Sequence, residues 1–293
     1  MNKVLITGGA GFLGRHLIKR LLDKNTKIEI RAISRQENEI VEMMVACNND
    51  NRLKPIIGDV RDPDSVKYAV GGIDTLIHLA AMKHIDFCDM YPSEAISTNI
   101  LGTMNLLKLF DGDTFVGMST DKAVEATGCY GATKLILERL ILEQAEKNPK
   151  RRYIVVRSGN IFGSSGSVIQ KWKKQIKQNN RVTVTNLEMT RFYIDVNTLV
   201  DFIIRIINKG KTGKIYIPFQ KTASLGDLAK AMVELYGNRK TKIEVTGLRG
   251  GEKMHEHLFL PSRKEVVTDL KNEYSEHGDR ISLDEIKVWI SNC

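Results

Sequence analysis

A glycine-rich turn close to the amino terminus restricts this chain more than any other feature. It reads GGAGFLG and stands between Lys3 to Thr7, a short apolar and β-branched run, and a helix-like pattern that begins at Phe12. Glycines let a backbone approach a pyrophosphate closely, and a helix N-terminus offers unpaired N–H groups and a positive dipole end. The order of strand, glycine turn and helix therefore predicts a dinucleotide-binding unit. The residues of the turn expected to contact the dinucleotide are Gly8, Gly11, Phe12, Leu13 and Gly14.

The end of the second predicted strand, Ile28 to Ile33, indicates which dinucleotide is bound. An acidic residue there would suit a free ribose 2′-hydroxyl, but the chain has Ser34 and Arg35. A hydroxyl and a guanidinium suit a 2′-phosphate, so the sequence favours NADP over NAD. The alternative is that Arg35 is an ordinary exposed arginine.

Further apolar runs alternate with helical patterns and indicate a doubly wound, Rossmann-like α/β fold with a parallel sheet, in which ligands bind at the carboxyl ends of the strands. These strands are predicted at Lys54 to Ile57, Asp74 to His78, Thr114 to Met118 and Tyr153 to Arg157. Asp59 follows the third strand and is placed to accept a hydrogen bond from an adenine amino group. Asn99 lies on a helix predicted from Pro92 to Phe110 and can bond backbone at the strand ends. The other cofactor candidates at this edge are Val60, Leu79, Ala80 and Ala81. The alanines either let the cofactor approach or simply pack closely.

The stretch MSTDKAVEATGCYGATK, from Met118 to Lys134, carries the candidate chemistry. Tyr130 and Lys134 are four residues apart on one predicted helix face. The lysine ammonium is expected to lower the pKa of Tyr130 below its free value of about 10, so that a phenolate takes a proton from a substrate hydroxyl. The alternative is a surface tyrosine and lysine. Just upstream stands an acid beside an amine, in the order Thr120, Asp121 and Lys122. This trio is either a proton-transfer set or a turn with solvated charges.

The regular alternation of apolar runs and helical patterns ends at Ser158, where a glycine- and serine-rich loop begins. No second nucleotide motif follows, and the second half is expected to form a smaller substrate lobe interleaved with the first domain. We predict an NADP-binding domain over 1–163 and 193–218, and a nucleotide-sugar-binding lobe over 164–192 and 219–293. Arg191 and Arg249 are candidate diphosphate clamps, because a guanidinium binds phosphate oxygens bidentately. Surface ion pairs are the alternative for both.

Composition excludes several other classes of protein. The formal charge is +9, but the basic residues are scattered rather than grouped with aromatics, so nucleic acid is not the expected partner. The four cysteines have no paired or metal-binding spacing, which fits a reducing cytoplasm and no metal site. No apolar run is long enough to span a bilayer and no signal peptide is expected. The expected location is cytoplasmic and the expected partner is a small molecule.

These motifs together resemble an extended short-chain dehydrogenase/reductase, which shares the glycine turn, the Tyr130/Lys134 pair and the Ser-Gly-Asn that ends at Asn160. A narrower match covers nearly the whole chain. It lies in AAMKHIDFCDMYPSEAISTNILGTMNLL, MSTDKAV, GSVIQKWKKQI, VTVTNLEMTRFY and GLRGGEKMHEHL. These segments resemble the polysaccharide-biosynthesis nucleotide-sugar dehydratases, nearest in type to the inverting UDP-N-acetylglucosamine 4,6-dehydratases (5-inverting). The Asp121-Lys122 pair is the most specific element, since the retaining sugar dehydratases carry Asp-Glu there.

The resemblance implies a homo-oligomeric lyase with a tightly bound, recycled NADP. Tyr130 would deprotonate the 4-hydroxyl and Lys134 would hold the tyrosinate and the nicotinamide ribose. Lys122, if burial depresses its ammonium, would remove the C5 proton, and Asp121 would protonate the departing 6-hydroxyl. The hydride then returns to C6, and a proton added to the opposite face of C5 gives inversion. The substrate contacts that the resemblance implies are Lys83, Asn160, Val168, Thr183, Arg191, Arg249 and Glu252.

The chain departs from the family pattern in the loop from Glu125 to Gly128, where an Asn-Pro turn is usual, and at Gly250, where proline is usual. The first change alters the loop that joins Lys122 to Tyr130, and so the timing of the proton steps. Partial reactions therefore stay open, either formation of a 5,6-ene or C5 epimerisation. Further alternatives are a nucleotide-sugar 4-epimerase or reductase, and a non-catalytic NADP-sensing regulator.

Overall fold

A computed structural model describes residues 1–248, 251–268, 270 and 275–292 of the chain. Its strands are β1 (Lys3–Thr7), β2 (Glu29–Ser34), β3 (Leu53–Ile57), β4 (Thr75–His78), β5 (Thr114–Thr120), β6 (Arg152–Ser158), β7 (Asn160–Ile161), β8 (Arg181–Val184), β9 (Thr190–Ile194), β10 (Lys214–Ile217), β11 (Lys221–Ser224), β12 (Lys242–Val245) and β13 (Val266–Thr268). Its α-helices are α1 (Phe12–Lys24), α2 (Glu37–Ala46), α3 (Pro63–Val70), α4 (Ile85–Met90), α5 (Pro92–Ile96), α6 (Gly102–Leu109), α7 (Cys129–Lys147), α8 (Val168–Asn179), α9 (Val196–Lys209), α10 (Leu225–Tyr236) and α11 (Leu283–Ser291).

The central feature is a parallel sheet in the order β13-β10-β6-β5-β4-β1-β2-β3. β1 pairs with β2 on one side and with β4 on the other, so the strand order reverses there. Ligands bind such folds outside the carboxyl ends of the strands at this reversal. The predicted Rossmann-like fold is therefore confirmed, and the strand ends that carry the candidate residues lie along one edge.

Helices cover both faces of the sheet, because its strands are apolar on both sides. One core joins the sheet to α1, α2 and α9, and a second core joins it to α3, α6 and α7. The buried side chains of α9 pack back onto the sheet. Within the described residues, no helix has the length and apolar character needed to cross a membrane.

The remaining elements form a smaller unit with its own core, around α8, α10 and α11. The fully buried Trp172 lies in this core and donates its indole N–H to the carbonyl oxygen of Thr183 at 2.8 Å. The division of the chain into two domains stays a prediction. One detail of it is wrong, because β13 lies within the range 219–293 assigned to the lobe yet pairs in parallel with β10 in the central sheet.

The helix predicted from Pro92 to Phe110 is continuous but not regular. Residues Ser97–Leu101 form a π-helical turn between α5 and α6. Such a turn inserts one extra residue per turn and is frequent at functional sites. Here it brings Thr98 and Asn99 into the interior, where both side chains are buried.

Candidate active site

The glycine turn packs tightly against the first residues after β4. Gly8 has a φ of +66°, and a β-carbon on it would lie 2.8 Å from the backbone nitrogen of Ala80. A β-carbon on Gly14 would overlap the carbonyl oxygen of Gly9. On Gly11, the residue before α1, a β-carbon would meet only the carbonyl oxygen of Gly8, at 3.2 Å. Gly8 and Gly14 are thus required by packing, whereas Gly11 leaves free the side on which a pyrophosphate would approach the helix.

The residues predicted to read the adenosine half lie at the ends of β2 and β3. The Ser34 hydroxyl accepts a hydrogen bond from the backbone N–H of Ala10 at 3.2 Å, and Arg35 is exposed. The Asp59 carboxylate accepts from the backbone N–H of Arg61 at 2.9 Å and from its Nε at 2.8 Å. Burial would raise the pKa of Asp59, but the bonds to Arg61 outweigh it and the pKa is lowered. Sequence reasoning missed Arg61, which holds Asp59 in place.

Asn99 connects the loop after β4 to the catalytic helix. It is fully buried, and its amide bonds the backbone N–H of Met82 at 2.8 Å and the Met82 carbonyl oxygen at 2.9 Å. The same amide nitrogen donates to the hydroxyl of Thr133 on α7 at 3.0 Å. Asn99 thus bonds backbone in the loop after β4, and its contact with a cofactor stays a prediction. Leu79, Ala80 and Ala81 are half-buried beside it, and Val60 is buried.

His78, the last residue of β4, joins a chain of hydrogen bonds that the sequence did not reveal. The Thr103 hydroxyl donates to the carbonyl oxygen of Asn99 at 2.6 Å, so its oxygen must accept from His78 Nε2 at 3.0 Å. His78 Nδ1 then accepts from the Thr7 hydroxyl at 2.7 Å, and the Thr7 oxygen accepts from the N–H of Ala80 at 3.2 Å. This chain fixes a neutral histidine with its proton on Nε2, and ties the glycine-turn strand to the π-helical turn.

Because of the buried His78, the free energy of unfolding is expected to decrease as the pH decreases. Burial, reinforced by the charge of Lys134, lowers the pKa of His78 to about 3. An unfolded histidine takes up a proton below about pH 6.5, so the unfolded state gains protons that the folded state does not. Between about pH 7 and about pH 5 this group is expected to lower the free energy of unfolding by about 2 kcal/mol. Urea unfolding at both pH values measures it.

A His78→Gln variant should lack this part of the pH dependence, whatever its own stability at pH 7. The exposed His277 provides the matched control, because His277→Gln should retain the full dependence of the wild type. If His78→Gln and the wild type lose the same free energy between the two pH values, His78 is not held neutral.

Tyr130 and Lys134 lie on one face of α7, directly beside the end of β5. The N-terminus of α7 is fixed by Asp89, whose carboxylate accepts from the N–H of Cys129 at 2.8 Å. Gly131 is required by packing, because a β-carbon there would overlap the carbonyl oxygen of Lys122. This close approach places the start of the helix against the turn that follows β5.

The expected lowering of the pKa of Tyr130 is wrong for this arrangement. Burial and the nearby charge of Asp121 raise the pKa of Tyr130, and its hydrogen bond with Thr120 only partly opposes them. Burial also lowers the pKa of Lys134 to about 8, against the opposing charge of Glu138. The sequence argument counted the attraction of the lysine but not the cost of burying a phenolate next to a carboxylate.

Thr120, Asp121 and Lys122, at the end of β5, form a hydrogen-bonded set rather than a solvated turn. β5 runs to Thr120, and Asp121 begins a 3₁₀ turn. Asp121 is fully buried, and its Oδ1 accepts from the Thr120 hydroxyl at 2.8 Å and from Lys122 Nζ at 3.0 Å. Its other oxygen, Oδ2, is buried and has no hydrogen-bond partner among the described residues. Two donors on one oxygen indicate an ionised carboxylate.

The expectation of a depressed lysine ammonium is also wrong. Burial lowers the pKa of Lys122, but the charges of Asp121 and Glu256 outweigh it, and the net result is a raised pKa. The physical reason is that the desolvated amine faces two carboxylates. In the resting site Lys122 is therefore an ammonium and Asp121 a carboxylate.

A buried ion pair lies one turn below Lys134. Glu138 Oε1 accepts from Arg157 Nε at 2.8 Å and from the Ser119 hydroxyl at 2.6 Å, while its Oε2 accepts from Arg157 Nη2 at 2.6 Å. Both charged side chains are at most 7% exposed. The pair fixes α7 to β5 and β6, and so fixes the catalytic face of the helix. The one sign of this ion pair in the sequence is Arg157 itself, a charged residue at the end of an apolar strand.

Residues 251–258, which we call the strap, contact the loop that joins Lys122 to Tyr130. The Thr127 hydroxyl donates to the carbonyl oxygen of Gly251 at 2.6 Å, and Lys253 Nζ donates to that of Val124 at 2.8 Å. His257 Nδ1 lies 2.6 Å from Glu125 Oε2. The altered loop at 125–128 is thus held by the strap.

The predicted substrate residues are placed differently from one another. Arg191 is not a surface ion pair, since its guanidinium is only 11% exposed and donates to the carbonyl oxygens of Lys253 at 3.0 Å and Met254 at 3.2 Å. Glu252 lies on the strap, whereas Arg249 lies outside the described residues. Arg191 lies near enough to Lys122 for its positive charge to oppose the rise in the pKa of that lysine.

The other substrate candidates are spread over both predicted domains. Asn160 donates to the carbonyl oxygen of Phe192 at 3.2 Å, and Lys83 donates to that of Ser165 at 2.9 Å. Val168 is the first residue of α8. Thr183 bonds the Gln175 side chain at 2.9 Å. Protein partners thus already occupy these polar groups, and their contact with substrate stays a prediction.

Solved structures and curated proteins similar to this chain agree on the fold. The structure superposes on Pen from Bacillus thuringiensis with a TM-score of 0.90 and 33% identity, covering 99% of this chain and 97% of that one. It is similar to DesIV, a dTDP-glucose 4,6-dehydratase of Streptomyces venezuelae solved with NAD, at a TM-score of 0.82 and 19% identity, covering 99% and 96% of the two chains. The second likeness shows a common fold only.

Sequence relatives extend the comparison. A UDP-glucose 4-epimerase of Rickettsia bellii is 36% identical over 98% of this chain and 86% of its own length. An uncharacterized membrane protein of Methanocaldococcus jannaschii is 36% identical over 92% of this chain and 84% of its own. The family model described as polysaccharide biosynthesis protein matches residues 4–277. With that match across nearly its whole length, the chain belongs to the polysaccharide biosynthesis protein family.

Proposed function

We propose that this chain is an NADP-dependent 4,6-dehydratase of UDP-N-acetylglucosamine that inverts C5. Its product would be a UDP-4-keto-6-deoxy-L-AltNAc-type sugar for pseudaminic acid or a related surface glycan. The observation that carries the proposal is the hydrogen-bonded trio Thr120, Asp121 and Lys122 beside Tyr130. A dehydration needs a proton removed from C5 and another given to the 6-hydroxyl, and this trio supplies an amine and an acid for those two transfers.

The glycine turn fits a dinucleotide. A β-carbon on Gly11, the residue before α1, would meet only the carbonyl oxygen of Gly8, and Ser34 and Arg35 stand at the end of β2, where a 2′-phosphate would lie. NADP held there would supply a hydride acceptor for C4 and a hydride donor for C6. The residues expected to hold it are those of the turn with Ser34, Arg35 and the strand ends near Asp59 and Ala80.

Tyr130 is the base proposed for the 4-hydroxyl. A nearby positive charge is needed to lower the proton affinity of the Tyr130 hydroxyl. Lys134, with a pKa of about 8, is mostly an ammonium at neutral pH and supplies that charge. In this arrangement the pKa of Tyr130 is raised, so the proposed role requires the Lys134 ammonium to stabilise the Tyr130 phenolate once cofactor and substrate are bound. The proton and the hydride thus leave the same C4–OH group, and a ketone forms.

The next step needs Lys122 as a neutral amine, although it rests as an ammonium. A shift of one proton along the 3.0 Å bond from Lys122 Nζ to Asp121 Oδ1 gives an amine and a carboxylic acid together. The amine takes the C5 proton and the acid protonates the departing 6-hydroxyl, which leaves as water. These transfers restore the ammonium and the carboxylate, so the pair ends the step as it began.

A nucleotide-sugar 4-epimerase is the second candidate, favoured by the 36% identity of this chain to the UDP-glucose 4-epimerase of Rickettsia bellii. A 4-epimerisation moves a hydride from C4 and back to C4, so it gives no role to Asp121 and Lys122. Asp121 Oδ2 is buried and has no hydrogen-bond partner within the described ranges, which favours the dehydratase, because a substrate hydroxyl would supply a donor for it. A partial reaction that stops at the 5,6-ene uses the same pair.

The test is to mix the purified protein with UDP-N-acetylglucosamine in deuterated water, without added cofactor, and to follow it by NMR and mass. We expect a 4-keto-6-deoxy product that has lost one water and carries deuterium at C5 with altered ring couplings. Cofactor released by heating should have the mass of NADP. A product that keeps its 6-hydroxyl with C4 inverted would instead establish an epimerase, and a 5,6-ene a partial reaction.

Two variants make this test specific to the trio. Lys122→Ala should lose product formation while still releasing cofactor on heating, because the glycine turn is unchanged. Lys174→Ala, on the exposed side of α8, removes an equal charge away from the site and should keep full activity. Full activity in Lys122→Ala would exclude this lysine as the base.

A further inference from the structure

We propose that Glu256 of the strap is a positioning residue for Lys122, holding its ammonium in place so that the substrate lobe controls when this amine becomes a base. The inference deepens the proposed function, because it rests on the role proposed for Lys122. Nothing in the sequence patterns singled out Glu256.

Glu256 reaches the catalytic turn as a buried carboxylate. It is 5% exposed, and its Oε1 lies 3.8 Å both from Lys122 Nζ and from Arg191 Nε. Its Oε2 is buried without a hydrogen-bond partner in the part of the chain that the structure describes. A carboxylate in such a place is retained only where charges compensate it, and here Lys122 and Arg191 do so.

The strap fixes where this carboxylate lies. The Glu256 N–H donates to the Ser275 hydroxyl at 2.8 Å, and its carbonyl oxygen accepts from the N–H of Ser275 at 2.9 Å. The N–H of Thr190 on β9 donates to the carbonyl oxygen of Met254 at 3.0 Å. At the end of the strap, Arg157 donates to the carbonyl oxygen of Leu258 at 2.7 Å. Glu256 therefore stands on a segment tied both to the lobe and to the sheet.

Several charged or titratable groups surround the Lys122 amine. Asp121 lies beside it on the same turn, Glu256 faces it from the strap and Arg191 from β9. Tyr130 on α7 and Tyr193 on β9 lie near enough to Asp121 for its charge to raise the pKa of both. Of the two carboxylates, Asp121 is the proton partner within the turn. Glu256 is the one whose distance depends on the strap.

The distance between Glu256 and Lys122 is expected to decide whether the proton stays on Lys122. With Glu256 at 3.8 Å, the proton stays on Lys122 and the shift to Asp121 is disfavoured. When the nucleotide part of a substrate occupies the strap beside Glu252, a small displacement of Glu256 or a donor to its Oε2 weakens that hold. Lys122 then becomes a neutral amine, able to take the C5 proton, only when a substrate is bound. Proton transfer between Lys122 and Asp121 is disfavoured while the site is empty.

The test measures the ionisation of Lys122 directly, without substrate. Protein with ¹³C at the lysine Cε position is followed by NMR from about pH 8 to about pH 11, and the Lys122 signal is assigned by its loss in Lys122→Arg. In Glu256→Gln the signal should move to the neutral-amine position at a pH lower by about one unit or more, as expected for the loss of an opposite charge within about 4 Å. In the wild type it should remain that of an ammonium over more of the range.

Two further variants secure the result. Glu276→Gln, with its side chain 47% exposed, removes a nearby acidic charge from the protein surface and should leave the Lys122 signal unchanged. Glu256→Asp keeps the charge but shortens its reach, and its midpoint should lie below that of the wild type even if Glu256→Gln does not fold. A Lys122 titration that is the same in the wild type and in a folded Glu256 variant would overturn the proposal. The titration does not depend on turnover, so a protein that fails to dehydrate the sugar would still decide it.

Discussion

Replacing Tyr130 with phenylalanine is expected to lower kcat for the nucleotide sugar by about 10²- to 10⁴-fold, the usual contribution of a positioned acid–base group. The change removes a hydroxyl whose hydrogen-bond partner in the protein is Thr120, and leaves the ring in its half-buried position. Cofactor binding should persist, because the glycine turn and Lys134 are unchanged. Single-turnover kinetics, with the nicotinamide absorbance recorded, would show that the loss is in the C4 oxidation.

The matched control is Tyr153→Phe. Tyr153 is 1% exposed on β6 and stacks on Phe115 within the second core, away from the catalytic turn. It also loses one buried hydroxyl, and its kcat should stay within about twofold of the wild type. If Tyr130→Phe falls no further than Tyr153→Phe, the tyrosine does not carry the proton of the 4-hydroxyl.

Replacing Arg157 with methionine is expected to lower the free energy of unfolding by about 3–5 kcal/mol. The substitution leaves the buried Glu138 carboxylate with the Ser119 hydroxyl as a donor but without its paired guanidinium, so that Lys134, one turn away, is the nearby cation that remains. It also removes the bond to the carbonyl oxygen of Leu258. Urea unfolding at neutral pH measures the loss. Because burial of an unpaired carboxylate favours its neutral form, the deficit should shrink at acidic pH.

An exposed ion pair gives the contrast. Arg181 and Glu244 lie 3.3 Å apart with both side chains 46% exposed, and such pairs contribute at most about 1 kcal/mol. Arg181→Met should therefore change the free energy of unfolding by less than about 1 kcal/mol. Equal losses in the two variants would mean that the Glu138–Arg157 pair does not hold the catalytic helix as described.

The parts of the fold with a local pattern could be predicted from the sequence. The glycine turn, the alternation of strands and helices, and the order Thr120-Asp121-Lys122 each depend on neighbouring residues. The structure places them as expected at the carboxyl edge of a parallel sheet. Strand ends shifted by one or two residues, and β5 extends to Thr120 because its backbone continues to pair with β6.

The parts that depend on distant residues could not be predicted. The proton affinities of Tyr130 and Lys122 follow from burial and from the charge of Asp121, and that of Lys122 also from Glu256, which lies more than a hundred residues away in the chain. His78 and Arg157 read as one polar residue at the end of an apolar run, and only their partners across the sheet explain them. A spacing rule gives the neighbours of a side chain along one helix or strand, but not the dielectric surroundings that set its proton affinity.

The position of β13 has a consequence for how the chain is synthesised. A ribosome releases β10 (Lys214–Ile217) well before Val266–Thr268, the strand that pairs with its outer edge. At about 5–20 residues per second, the nascent chain spends roughly 3 to 10 seconds with the outer-edge backbone groups of β10 unpaired. An open strand edge is a template for pairing with another chain. Crowded nascent chains on one messenger are therefore most prone to join one another during this interval, and slower translation of residues 218–268 would lengthen it.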